Sequence, residues 1–296
     1  MTHRAVPAPE PPDTPSPSRP LVSALVPTYN GAAFIERTLA SLAAQTWDHL
    51  ELLIADDCST DDTLAIVRRF AEDRDDVTVI ERSANLGWLR NTNDLMGRAR
   101  GELMFFAFHD DVIEPTYVEK LAGALAGRPD AVLAFSDLEL IEVDGTRSIR
   151  VLDLLEGHRS RLGRGLVMAR RPDNWWLPNR GVFRAEAFRR VGGIHPNEAG
   201  EYTADWPWLL HLALLGDFVR VPEVLCHKYF QKTSLSKNWP EGPEQRRALQ
   251  RAGRAEVAGS SIPSPEKLVL QTAMRDLQRL PGPLRRAARR AARLVS

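Results

Sequence analysis

The chain has 296 residues, 43% hydrophobic and 26% charged, with 39 Lys and Arg balanced by 39 Asp and Glu. That composition belongs to a globular protein of one large or two small domains, and zero net charge gives no reason to expect a nucleic-acid partner. No apolar run approaches the ~20 residues of a membrane span, and the N-terminus lacks a signal-like apolar stretch, so the default is a cytoplasmic protein. The two cysteines, Cys58 and Cys226, form no CxxC pair; neither a disulfide framework nor a structural zinc site is expected.

Residues 1–20 carry seven prolines among polar residues and read as a disordered tail. From Leu21 strands and helices alternate. LVSALV (21–26), LELLIA (50–55), VTVIE (77–81) and ELMFFAF (102–108) have the short apolar runs of buried strands. AAFIERTLASLAAQ (32–45), DDTLAIVRRFAE (61–72), LRNTNDLMGRA (89–99) and PTYVEKLAGALA (115–126) have helical spacing, the last with Pro where no N–H is needed. This alternation predicts a Rossmann-like, mainly parallel sheet flanked by helices. Beyond residue 130 the pattern weakens. Residues 131–145 read as one or two strands with a turn at Asp144-Gly145, and 150–180 are hard to assign. Helices are expected at 184–193 and 204–216, each ending at glycine, and 241–296 reads as a helical extension broken near 260–265 and 281–283. The extension is basic, with 12 Lys or Arg against 5 Asp or Glu. This divides the chain into a tail (1–20), two halves of one domain (21–130 and 131–240), and the extension.

Three polar clusters follow strands directly: PTYNG (27–31), DDCSTDD (56–62) and HDD (109–111). In an open parallel sheet, ligands bind outside the carboxyl ends of the strands, so these loops would meet in one crevice. Helix capping explains Thr60 and Asp61 but not the doublets Asp56-Asp57 and Asp110-Asp111, since a cap needs one acceptor. Carboxylates are hard oxygen ligands suited to Mg²⁺ or Mn²⁺ completed by substrate phosphates. Neither GxGxxG nor GxxxxGK[ST] occurs, which argues against a dehydrogenase or a P-loop NTPase.

The stretches VSALVPTYNGAAFIERTLASLAAQTWDHLELLIADDCSTDDT (22–63) and NLGWLRNTNDLMGRARGELMFFAFHDDVIEPTYVEKL (85–121) resemble family 2 glycosyltransferases, inverting enzymes of GT-A fold. The likeness covers about residues 21–230. It implies a nucleotide diphosphate sugar donor, with UDP favoured, and a hydroxyl-bearing acceptor that is a glycan, a lipid-linked molecule or a small molecule. By resemblance, Pro27, Tyr29, Asn30 and Asp57 would bind the nucleotide, Tyr29 on the base and Asp57 at uracil. Asp110 would meet the ribose or sugar and join Asp111 at the metal. Arg90 and Asn93 would face the donor, Lys228 would lie near the phosphates, and Asp205 would be the catalytic base. The chain departs from the family pattern in three places. Phe108 replaces a first acid, Ala204 replaces the acid before Asp205, and Phe230 stands at the place of a His ligand, leaving His227 in a shifted register as the one substitute. Trp175 and Trp176 have two readings, core or acceptor platform.

Other readings stay open. A sugar-phosphate nucleotidyltransferase also holds a metal nucleotide near acids, but it has no use for Asp205. A non-catalytic nucleotide-sugar-binding protein would account for the three departures. LRRAARRAARLV (284–295) places alanines and leucine opposite arginines; it reads as a solvated helix or as a peripheral contact with an anionic inner-membrane face.

Overall fold

The computed structural model describes residues 19–170, 175–201, 203–230 and 242–275. The greater part of the tail and the 284–295 stretch lie outside them. Four parallel strands build the first half: β1 (Val22–Thr28), β2 (Leu50–Asp56), β3 (Val77–Glu81) and β4 (Leu103–Phe106), joined by helices α1 (Ile35–Ala43), α2 (Thr63–Ala71) and α3 (Trp88–Arg98). β1 is buried along its whole length, as a central strand covered on both faces must be.

Past β4 the pairing changes. β5 (Asp111–Ile113), α4 (Tyr117–Ala126), β6 (Ala131–Ile141), β7 (Arg147–Arg150), α5 (Arg161–Arg170), β8 (Val182–Arg184), α6 (Ala185–Val191), α7 (Asp205–Leu215) and β9 (Asp217–Tyr229) follow. One sheet in the order β3-β2-β1-β4-β8-β6-β9-β5 results, with β7 paired to β6. β8 runs antiparallel to β4 and β6, β9 lies parallel to β6, and β5 runs antiparallel to β9. The turn expected at Asp144-Gly145 joins β6 to β7. Beyond β4 the sequence pattern does not announce the short strands β5 and β8, the long β9 or helix α5.

Helix α7 is apolar all round, and Trp206 to Leu214 are buried, so it sits inside the domain. Phe106 of β4, Phe183 of β8 and Trp208 of α7 form an aromatic cluster with ring centroids 5.2–5.8 Å apart. This cluster fixes the start of α7 against the strand that leads to the Asp110-Asp111 doublet. The extension contributes α8 (Pro243–Gly259) and α9 (Ser264–Ala273), with the break between them where the sequence placed it. α8 locks onto α7 through Glu256, which engages His211 at 2.9 Å and His195 at 2.5 Å.

Gly253 is where α8 crosses Trp206; a Cβ there would lie 2.5 Å from the buried indole. Gly253→Ala is expected to lower stability by about 1–3 kcal/mol through overpacking, less the helix-propensity gain of about 1 kcal/mol. Thermal melting checks this: an unchanged or raised midpoint would mean that α8 is not seated on Trp206. No helix among the described residues is long and apolar enough to cross a membrane.

Candidate active site

The three polar loops converge. The loop after β1 is tied to the loop after β2: the Asn30 amide donates to Ser59 Oγ (2.9 Å), Gly31 to Thr63 Oγ1 (2.8 Å) and Ala32 to Asp61 (3.1 Å), while Asn30 Oδ1 accepts from the Thr60 amide at 2.8 Å. Asn30 takes a positive φ of 48°, which Asn tolerates better than most residues. The same loop presses on the third: a Cβ on Gly31 would lie 3.0 Å from the His109 ring. From below, Thr38 of α1 donates to the carbonyls flanking Asp110, those of His109 (2.9 Å) and Asp111 (2.7 Å). A buried polar position on an otherwise apolar helix face thus serves to hold the acidic loop.

The sequence-derived donor residues fall into two groups. Tyr29 is 39% exposed at the end of β1, open to a flat ligand, and Pro27 is buried inside the strand. Arg90 is exposed on α3. Asp57 and Asn93 already have partners within the fold. The Asp57 carboxylate accepts the backbone amides of Leu86 (2.8 Å) and Gly87 (2.9 Å), so it holds the turn into α3. Asn93 is consumed at both ends by Ile194, donating to its carbonyl (2.8 Å) and accepting from its amide (2.9 Å). Gly193, at φ 101°, lies so close that a Cβ would sit 2.6 Å from the Asn93 amide oxygen. The other acid of the first doublet is Asp56. It is 1% exposed; one oxygen accepts the Ser59 amide at 3.0 Å, and Oδ1 has no partner. A buried, unpartnered carboxylate oxygen is costly and is a signal of an absent donor group.

The second doublet forms a tight charged group. Cross-strand pairing of β5 with β9 sets Asp111 opposite Lys228. Lys228 Nζ lies 2.8 Å from Asp110 Oδ2 and 3.9 Å from Asp111 Oδ1. Arg180, absent from the sequence reading, donates from Nε to Asp111 Oδ2 at 2.5 Å. Burial raises the carboxyl of Asp111 above its ordinary range despite Arg180 and Lys228. For Asp110, burial acts the same way but Lys228, with His109 and Arg180, outweighs it and holds the group low. The imidazole of His109 is pushed down by burial. His227 does not reach the acids. Strand alternation turns it to the other face of β9, where Glu139 and Glu114 each hold one ring nitrogen at 2.8 Å. Phe230 lies beside Lys228, whose Nζ is 5.2 Å from its ring centroid.

Among the described residues no group of three His, Cys, Asp or Glu forms a metal cluster. The oxygens on offer are those of Asp110 and Asp111, and Asp111 Oδ1 is buried without a hydrogen-bond partner. Two hard oxygen ligands with one unpartnered atom suit a divalent cation completed by substrate phosphates.

Asp205 opens α7, entered through Thr203, whose φ of 44° is unusual for a β-branched residue. Thr203 Oγ1 is buried and unpartnered, as is Oδ1 of Asn179 beside Arg180. Burial pushes the Asp205 carboxyl up to about 6, against the opposing charge of Arg180 and the amides at the helix start. That value suits a general base near neutral pH. Trp175 is 2% exposed and belongs to the core; Trp176 is half-buried and gives its carbonyl to Arg180.

Comparison with known proteins follows this geometry. The sequence profile described as Glycosyl transferase family 2 matches residues 23–179. The putative teichuronic acid biosynthesis glycosyltransferase TuaG of Bacillus subtilis is 33% identical over 128 residues, 43% of this chain and 50% of that protein. The uncharacterized protein y4gI of Sinorhizobium fredii is 30% identical over 194 residues, 64% of this chain and 20% of its own length. The matches thus span half or less of these relatives. Among solved structures, residues 1–349 of S. aureus TarS with UDP-GlcNAc superpose with a TM-score of 0.68 at 19% identity, covering 86% of this chain and 71% of that one. The mannosyltransferase PcManGT from Pyrobaculum calidifontis with GDP-Man and Mn²⁺ gives 0.61 at 22% identity, covering 95% and 77%. The α/β fold expected from the sequence is the fold of these structures, with helices added at the C-terminus.

Proposed function

Because this chain belongs to glycosyl transferase family 2, we propose that it moves a hexosyl group from a nucleotide diphosphate sugar to an acceptor hydroxyl, with inversion and with Asp205 as base. What supports this reading is the acidic doublet after β4 together with a separate buried carboxyl, Asp205, that burial raises to about 6. The first can hold a metal and a diphosphate; the second can take a proton from an incoming hydroxyl.

Asp110 and Asp111 would hold Mg²⁺ or Mn²⁺, which when bound supplies a Lewis acid that neutralises the leaving diphosphate. Lys228, whose Nζ donates to Asp110 at 2.8 Å, would turn from that acid to the phosphates as the donor arrives. Asp205 would take the acceptor proton as the oxygen attacks the anomeric carbon. One displacement inverts that centre, and no side chain forms a covalent intermediate. A sugar-phosphate nucleotidyltransferase would leave Asp205 without a task.

At the base end, Tyr29 would receive the ring, and an acid of the Asp56-Asp57 doublet would accept an imide N–H: Asp57 by the family resemblance, or Asp56 through its unpartnered Oδ1. Uracil presents such a group, and TarS binds UDP-GlcNAc, so UDP is the donor nucleotide we favour. Asp56→Asn is expected to weaken UDP binding by about 1.5–3 kcal/mol, the worth of a charged hydrogen bond. Calorimetric titration beside Asp57→Asn distinguishes the two acids, because a loss confined to the Asp57 variant would return the base contact to Asp57.

The acceptor would offer a hydroxyl on a glycan, a lipid-linked molecule or a small molecule. The 284–295 stretch that suggested membrane contact lies outside the described residues, and flotation with anionic vesicles would test it. The transfer is tested by incubating the protein with UDP-, dTDP- and GDP-linked hexoses and following nucleotide release and the anomeric proton of the product by NMR. Release from none of them, or a product that retains the donor's configuration, sinks this reading.

A further inference from the structure

We propose that Arg180 is a positioning residue of the donor side of the site: it grips Oδ2 of Asp111 so that Oδ1 is left to the incoming ligand. The proposal rests on the role given above to Asp111.

Arg180 is held as no other cation near the site is held. Its side chain is 9% exposed, Nε donates to Asp111 at 2.5 Å, and Nη1 donates to the Trp176 carbonyl at 3.0 Å. Its guanidinium lies over the Phe108 ring, 4.9 Å from the centroid, and 5.8 Å from that of Trp176. Its backbone carbonyl accepts the buried Tyr117 hydroxyl. Two rings, two side-chain hydrogen bonds and one backbone anchor leave the fork a single orientation. Lys228 contrasts with it, a point charge on a flexible stem that reaches Asp110 at 2.8 Å and Asp111 only at 3.9 Å. One cation can step aside for a ligand; the other stays.

Phe108 gains a meaning here. Where an acid at 108 would place a third carboxylate in the loop, this chain places an aromatic face that receives Arg180. The pair substitutes a fixed guanidinium for a carboxylate, and Asp111 keeps one oxygen engaged and one buried and unpartnered.

The test compares wild type, Arg180→Met and Arg180→Lys. Calorimetry measures UDP affinity with and without Mn²⁺. Removing the group that orients a metal ligand typically costs 10–100-fold in metal affinity. Arg180→Met should therefore lose about that much of the Mn²⁺-dependent gain and keep its metal-free UDP affinity. Arg180→Lys keeps the charge but not the fork; it should lose part of the Mn²⁺ gain. An unchanged Mn²⁺ gain in Arg180→Lys overturns the proposal, also where Arg180→Met fails to fold. A wild type with no Mn²⁺-dependent UDP binding refutes the metal reading itself, an outcome distinct from a wild type that binds and variants that match it.

Discussion

Asp205→Asn is expected to cut turnover by about 10²–10⁴-fold, the usual contribution of a general base, while UDP affinity changes little. The amide keeps the shape of the side chain and cannot take the acceptor proton. Asp205 is placed at the first turn of α7, a helix held from all sides by Trp206, Trp208 and the aromatic cluster, so the substitution leaves the scaffold intact. With the carboxyl at about 6, the base is ionised above that pH and protonated below it. Wild-type kcat/KM should rise through pH 6 to a plateau, and this limb should vanish from the residual activity of the variant. Steady-state kinetics across pH 4.5–8.5 with parallel nucleotide titrations checks both points. Full activity in the variant would remove Asp205 from the mechanism, and a parallel loss of UDP binding would mean that it holds the donor instead.

Asp111→Ala is expected to abolish the Mn²⁺-dependent part of nucleotide binding, a loss of at least tenfold or about 1.4 kcal/mol. The buried carboxylate is bound on one side by Arg180. Removing it leaves that guanidinium buried without its partner, so a fall in stability of about 3–5 kcal/mol is expected as well. Asp111→Asn is the companion that keeps the volume. If both variants fold, as judged by thermal melting, and both retain the Mn²⁺ effect, the metal is held elsewhere.

The parallel half of the fold was legible because each strand is a short apolar run and each helix carries an apolar stripe. Past residue 130 tertiary contacts overrode local pattern. β9 skips residues in its pairing with β6, where Ser136 faces Val221 but Asp137 faces Val224, and Pro222 lies in the skipped stretch. A bulge with proline erases the alternation by which a strand is read. α5 contains Gly163 and Gly165, poor helix formers, yet a Cβ on Gly165 would lie 2.9–3.1 Å from Leu270 and 3.0 Å from Leu214. Close packing, not propensity, decides that helix.

The site shows the same division. Asp110 and Asp111 stood out as a doublet directly after an apolar run, while Asp205 and Lys228 were singled out through the family resemblance. Arg180 was missed because its partner Asp111 is 69 residues away in the chain and no local pattern announces the contact. The family resemblance pointed to Asp57 in the first doublet; the turn at Leu86-Gly87, whose amides Asp57 accepts while Asp56 keeps an unpartnered oxygen, could not be read from the sequence.

The most direct test of the central claim is a calorimetric titration of the wild-type protein with UDP, dTDP and GDP, each with and without Mn²⁺. The account predicts that UDP binds, that Mn²⁺ strengthens it at least tenfold, and that GDP binds more weakly. Absence of binding by all three nucleotides in either condition would contradict it.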